Sequence, residues 1–326
     1  MKALCYLFND KSNLGDSLFV EVYKELFPEL EFIFTDKITQ QLFSWYDVLF
    51  IGGGSFLEGE PNIDRDLLEK LPEKPLIYFG IGAETSIHSW HKFLLKKARL
   101  VYLRSFSAFD KITSLNPETI LCQDLVYALQ GKTLLQEMRK KTILFLPNAH
   151  IISKWNSRAW KHSAWEYFKS ECSQAFEELL KRGYRIDILP MCHNSEHQDS
   201  FAGIEIANKM ISIDGLTILP FKEYDYASLT QIFSSYELVI SQRYHGLVLA
   251  DICKVPCINI HHHDKLKEFY SPLTKAVDFY RSSKDTFLSA IDEALFLKSI
   301  TDSSHMGINP DVFKSIKDRV IYTLKE

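Results

Sequence analysis

Short apolar runs alternate with helix-length amphipathic segments along the whole chain, the pattern of βα units that feed parallel sheets. The runs predict strands at 3–8, 31–35, 47–51, 76–79, 100–103 and 119–121. A polar, basic stretch around 131–141 interrupts them, and they resume at 142–146, 185–190, 216–219, 238–240 and 257–260. The spacing predicts helices at about 16–26, 91–98, 105–115, 164–182, 201–211 and 226–235, with another starting near His245. After Pro310, apolar residues at 312, 313, 316, 320, 321 and 324 mark one face of a last helix. The pattern therefore predicts an α/β protein of two successive Rossmann-like halves, 1–140 and 141–308. The segment 309–326 is expected to be a closing helix that packs back on the first half.

Length agrees with this division, because 326 residues at roughly 150 per domain make two domains. Apolar residues are 46% and charged residues 25% of the chain, which excludes disordered, fibrous and membrane-embedded classes. Lys plus Arg is 38 against 42 Asp plus Glu, a net charge of −4, so no basic field exists to hold nucleic acid. Six scattered cysteines contain no CxxC pair, and the opening apolar run is too short for a signal peptide. No run approaches 18 uninterrupted apolar residues. The expectation is a reduced, cytoplasmic protein without a membrane span, touching the inner face of a membrane peripherally if at all.

In open parallel sheets, ligands bind beyond the carboxyl ends of the strands, where loops and helix N-termini converge. In the first half the polar and glycine features at those ends are Asn13-Leu14-Gly15-Asp16, Gly52-Gly53-Gly54-Ser55, Gly80-Ile81-Gly82, Arg104-Ser105 and Asp124. Asn13-x-Gly15-Asp16 reads either as an N-cap and turn or as a carboxylate at a helix mouth, able to take a proton from a sugar hydroxyl. The three glycines predict a loop that is either a packing turn or a backbone surface open to a sugar or phosphate. Arg104 is either an anion clamp or a salt-bridge partner.

In the second half the corresponding feature is Ser241-Gln242-Arg243-Tyr244-His245-Gly246. An arginine at a strand end offers a planar fork of donors to phosphate or carboxylate, and a histidine two residues on can exchange a proton near neutral pH. The competing reading is an arginine bridged to an acid and a core histidine. His261-His262-His263 lie on alternating faces of an extended segment, so they cannot together ligate one metal, and Cys253 and Cys257 lack two further ligands. GxGxxG and GxSxG are absent, which removes the dinucleotide fingerprint and the serine elbow. Trp155, Trp160 and Trp165, interleaved with Lys154, Arg158, Lys161 and His162, form either a glycan-contacting loop or a helix packing face.

Taken in order, Asn13-x-Gly15-Asp16, Gly52–Gly54, Gly80-x-Gly82, Arg104-Ser105, Asp124 and Ser241-x-Arg243-Tyr244-His245-Gly246 make the chain resemble the polysaccharide pyruvyl transferase family. The stretch from Ser241 through Pro256 to Asp264-Lys265-x-Lys267-x-Phe269 is its most specific part. The resemblance implies a GT-B-like fold, with two Rossmann-like domains facing a cleft. It implies transfer of a pyruvyl group from phosphoenolpyruvate to two hydroxyls of one sugar, in a cell-surface glycan or its lipid-linked precursor, without a metal or other cofactor. Arg243 would hold the donor's phosphate or carboxylate, helped by Ser241, Tyr244, Gly246 and Arg104, and His245 would be the proton donor. On the acceptor side stand Asn13, Gly15, Gly52, Gly53, Gly54 and Asp16, the last as a base. A nucleotide-sugar glycosyltransferase and a non-catalytic glycan-binding protein of the same fold are the alternatives. Arg104 is followed by Ser-Phe-Ser where acidic residues are frequent, so sugar recognition is expected to differ.

Overall fold

The central apolar runs form strands buried on both faces, which favours continuous Val, Ile, Leu and Phe over a polar–apolar alternation, while the edge strands at 31–35, 119–121, 216–218 and 274–278 are partly exposed. The computed structural model of the protein describes residues 1–7, 11–55, 57–82, 86–133, 140–149, 159–194, 198–300 and 309–325. In chain order the first sheet is built from β1 (Lys2–Tyr6), α1 (Leu14–Leu26), β2 (Glu31–Thr35), α2 (Gln40–Trp45), β3 (Val48–Ser55), β4 (Leu76–Gly82), α3 (Ser89–Lys97), β5 (Leu100–Leu103), α4 (Phe109–Thr113) and β6 (Thr119–Leu121). The second comprises β7 (Lys140–Leu146), α5 (Ala159–Lys181), β8 (Arg185–Ile188), α6 (Asp199–Ala207), β9 (Leu216–Ile218), α7 (Tyr226–Ser234), β10 (Tyr236–Ser241), α8 (Tyr244–Ile252), β11 (Cys257–His261), α9 (Asp264–Lys267), β12 (Thr274–Asp278) and α10 (Lys284–Ile300). A final helix, α11, spans Pro310–Lys325.

Both sheets are six-stranded and parallel throughout, in the orders β2-β1-β3-β4-β5-β6 and β12-β11-β10-β7-β8-β9. Each order reverses once, between β1 and β3 in the first sheet and between β7 and β10 in the second. One compact unit consists of Met1–Asp10, Asp16–Gly131 and Ile308–Glu326, the other of Lys11–Gly15 and Lys132–Gly307. Two short segments are thus exchanged relative to chain order. In the first unit, α11 buries Phe313, Ile316 and Val320, and its Arg319 donates to Glu118 at 2.8 Å while Arg99 donates to the Thr323 carbonyl at 2.9 Å.

The first sheet separates its side chains by parity. Leu4, Tyr6, Leu49 and Ile51 join one core cluster, whereas Phe50 and Phe79 meet Tyr23 of α1 at ring separations of 5.6 and 5.5 Å. The second core packs Phe168, Phe176 and Leu179 of α5 and Phe287 of α10 around Ile143, Phe145, Ile240 and Ile258. Trp165 is part of that core, stacked on Phe168 at 5.7 Å, the packing-face reading of the aromatic stretch. Residues 154, 155 and 158 of the same stretch, with His150, fall outside the described residues.

The structure corrects several sequence expectations. Gly52, Gly53 and Gly54 are not a loop: they continue β3, with Gly52 opposite Phe79 and Gly54 opposite Ile81 of β4. Lacking side chains, they admit the Phe79 carbonyl and the Phe19 ring to the sheet surface, and Gly53 holds φ +78 there. Gly80 and Gly82 likewise continue β4. The helix expected at 105–115 is confined to α4. β12 and α10 follow β11 where no elements were expected, β12 with a single buried apolar residue, Val277, and α10 with a buried face of Phe287, Leu288, Ile291 and Ala294.

Candidate functional site

The second sheet's order reverses between β7 and β10, and the loops that leave these two strands open the crevice in which doubly wound sheets bind ligands. β10 ends at Ser241, whose hydroxyl accepts from the Arg243 amide at 3.0 Å and donates to the Arg243 carbonyl at 2.8 Å. This tight turn puts Arg243 at the N-cap of α8 and Tyr244, His245 and Gly246 in its first turn. Gly246 permits the turn, since a Cβ there would overlap Ser241 Oγ and Leu146. The Tyr244 ring stands edge-on to His245 at 5.8 Å and to Phe269 at 6.0 Å, with Lys265 Nζ 5.0 Å from its centre.

Arg243 does not stand alone. Asp199, fully buried at the start of α6, accepts from Arg243 Nε at 3.0 Å and also from Nη2. The same carboxylate accepts from the backbone amides of Ala149 at 3.0 Å, Met191 at 3.2 Å and Cys192 at 2.9 Å. One acid therefore ties the loops after β7 and β8 to the end of β10 and fixes the plane of the guanidinium. Sequence reasoning missed Asp199, since it lies 44 positions from its partner and no local spacing marks it. It also missed Gln242, whose Oε1 accepts from the Asn148 amide at 2.8 Å, and His262, whose Nε2 lies 3.3 Å from Asn148 Nδ2. Gln242 is fully buried, and its Nε2 has no hydrogen-bond partner among the described residues.

Asn13 and Gly15 belong to the same unit. The Leu14 amide donates to Met191 O at 2.9 Å and the His193 amide to Ser12 O at 2.8 Å, so Lys11–Gly15 is stitched along the segment that also feeds Asp199. Asn13 Oδ1 accepts from the Gly15 amide at 3.1 Å, and the Cα of Gly15 lies against the imidazole of His245. Asn13, Gly15, Ser241, Arg243, Tyr244, His245 and Gly246 are thereby brought into one constellation. It offers an oriented cation, a helix N-terminus of nine residues and an imidazole, the equipment to hold an anion and move a proton beside it.

The other sequence candidates lie in the first unit. Asp16 is half-buried in the first turn of α1. Gly52–Gly54 are buried within the sheet. Arg104, just after β5, ion-pairs with Asp124 with only 3% of its side chain exposed, and its guanidinium stacks over Phe19 at 5.9 Å. The Asp124 Oδ1 accepts from the Val126 amide at 3.0 Å. Among the described residues no group of three His, Cys, Asp or Glu is placed to hold a metal ion, and no helix is long and apolar enough to cross a membrane.

The solved structures similar to this one share its fold at low identity. The UDP-GlcNAc 2-epimerase of Neisseria meningitidis, bound to UDP-GlcNAc, is 11% identical with a TM-score of 0.62, over 99% of this chain and 100% of its own. The UDP-GlcNAc 2-epimerase of Methanocaldococcus jannaschii is 10% identical at TM-score 0.57, over 98% and 99%. MurG of Acinetobacter baumannii is 11% identical at TM-score 0.52, again over 98% and 99%. These likenesses establish a GT-B-like fold of two parallel six-stranded sheets. No curated protein gives a significant sequence match. The family model for polysaccharide pyruvyl transferase matches residues 13–264, from the Asn13 motif through the Arg243 and His245 constellation to the start of α9, and the chain therefore belongs to the polysaccharide pyruvyl transferase family.

Proposed function

We propose that this protein transfers the pyruvyl group of phosphoenolpyruvate to two hydroxyls of one sugar, in a cell-surface glycan or its lipid-linked precursor, closing a cyclic ketal. The observation that carries this reading is the pairing of Arg243 with His245 at the head of α8, beside the reversal point of the second sheet. Arg243, oriented by Asp199, holds the donor's phosphate or carboxylate together with the amides of the helix N-terminus. His245 delivers a proton to the methylene carbon, and the neighbouring carbon becomes the electrophile.

A sugar hydroxyl then attacks that carbon, with its proton passing to a carboxylate, for which Asp16 is our candidate. Phosphate leaves with the carbon–oxygen bonding pair and takes up the proton held by the carboxylate, and the second hydroxyl closes the ring. Its proton returns to His245. The two hydroxyl protons end on the new methyl group and on phosphate, so the reaction balances without an oxidant or reductant. Asn13 and Gly15 are proposed on the acceptor side of His245.

The test is phosphate release from phosphoenolpyruvate against a panel of sugar acceptors. Release that requires an acceptor, and falls at least about 100-fold in His245→Ala, supports the proposal. Full turnover in that variant rejects His245 as the acid. Thermal stabilisation by UDP-sugars with none by phosphoenolpyruvate moves the protein to nucleotide-sugar chemistry.

A further inference from the structure

The first sheet has a reversal point of its own, between β1 and β3, and a cavity of about 400 Å³ opens beside it, within the range of roughly 300–1,000 Å³ of small-molecule sites. Its described lining comes from the ends of three adjacent strands, Tyr6 of β1, Asp36 after β2 and Ser55 of β3, joined by the 57–62 segment and by His91 of α3. Of the sequence motifs the glycine stretch alone reaches it, through Ser55.

The wall is pre-formed. The Asn62 amide donates to Tyr6 Oη at 2.8 Å, the Ile38 amide to Asn62 O at 3.0 Å and the His88 amide to Leu57 O at 2.7 Å. The Ser86 amide caps Glu58 at 3.0 Å. Leu57 and Pro61 supply buried apolar surface, while Asp36, Glu58, Glu60, Asn62 and Ser55 present oxygen acceptors. No lysine or arginine is among the described lining residues. His91 adds no charge, because burial pushes its pKa down to about 4; its Nδ1 is hydrogen-bonded to Tyr78 Oη at 3.1 Å.

Carboxylates and amide oxygens accept from hydroxyls and repel acid groups. We propose that this cavity binds an uncharged sugar unit of the acceptor and discriminates against acidic sugars. The proposal deepens the reading that the protein modifies a glycan, and rests on it. Its position at a reversal point and its hydrogen-bonded, pre-formed wall carry it further than the acidic rim alone.

Ligand-observed NMR on the full chain without phosphoenolpyruvate tests it, with methyl glucoside, methyl N-acetylglucosaminide, glucuronate and calcium as probes. The neutral glycosides are expected to bind, and glucuronate at least about tenfold more weakly. In Glu58→Gln/Glu60→Gln that ratio should narrow. Gly59 lines the cavity and a Cβ on it meets nothing within 4 Å, so Gly59→Trp is accommodated without a clash at its root and should obstruct the cavity and weaken sugar binding at unchanged Tm. Equal binding of glucuronate, undisturbed sugar binding in Gly59→Trp, or binding of calcium alone overturns the proposal. Because no donor is present, failure here leaves phosphate release as an independent test of pyruvyl transfer. Failure of transfer leaves the binding result standing.

Discussion

Gly15 lies so close to His245 that a Cβ built on it would overlap Nδ1 of the imidazole and stand 2.8 Å from Cγ. The glycine of the first motif and the histidine of the last are one structural feature, and the imidazole takes its place because residue 15 has no side chain. Gly15→Ala, a favourable substitution within a helix, should displace the ring. A shift of about 1 Å costs on the order of 100-fold in rate. We expect kcat for phosphate release to fall by about that factor with the Tm within a few degrees of wild type.

Asp199 and Arg243 should behave as a unit. Asp199→Asn leaves a largely buried guanidinium without its counter-charge and sets an amide against backbone donors, at a cost of about 3–5 kcal/mol. In a double-mutant cycle with Arg243→Ala, the combined loss in chemical denaturation should be smaller than the sum of the single losses. Additive losses would show that Asp199 serves only the backbone amides of Ala149, Met191 and Cys192.

The Arg104–Asp124 pair predicts a stability phenotype in the first unit. With 3% and 0% of their side chains exposed, removing the arginine strands a buried carboxylate, and Arg104→Ala should destabilise by about 3–5 kcal/mol. Denaturant midpoints measure this. If the midpoint is unchanged while donor affinity drops, Arg104 acts on the ligand.

His91 predicts an acid-side loss of stability. Burial lowers its pKa from 6.5 to about 4, so between these values the unfolded chain binds a proton that the folded chain refuses. Stability is unaffected by this group above pH 6.5 and declines as pH falls towards 4, by about 3 kcal/mol in full. His91→Gln, which keeps a partner for Tyr78, should flatten the difference in Tm between pH 7 and pH 4.5 relative to wild type.

Strand positions were legible where a strand covered on both faces needs only a local apolar run, as in 100–103. Boundaries at glycines were not: Gly52–Gly54 and Gly80–Gly82 resemble loops in one dimension, yet both continue their strands, Gly52 and Gly53 against Phe79 and Phe19, and Gly80 against Leu125 at a register shift between β4 and β5. β12 was missed because Val277 alone of its five residues is buried, whereas the helical spacing of Phe287, Leu288, Ile291 and Ala294 in α10 was present in the sequence and marks the face that packs on the second core.

The sequence by itself determined the alternation of strands and helices, the two sheets, and the motif that pairs an arginine with a histidine at a strand end. These depend on local periodicity and on turn residues. Only the tertiary structure decided that Asp199 clamps Arg243, that Gly15 makes room for His245, and that Tyr6, Asp36, Ser55 and His91 share a cavity. Those meetings follow from the order in which strands add to each sheet and from where that order reverses. Strand order depends on which faces must be buried against which, and no stretch of chain encodes it alone.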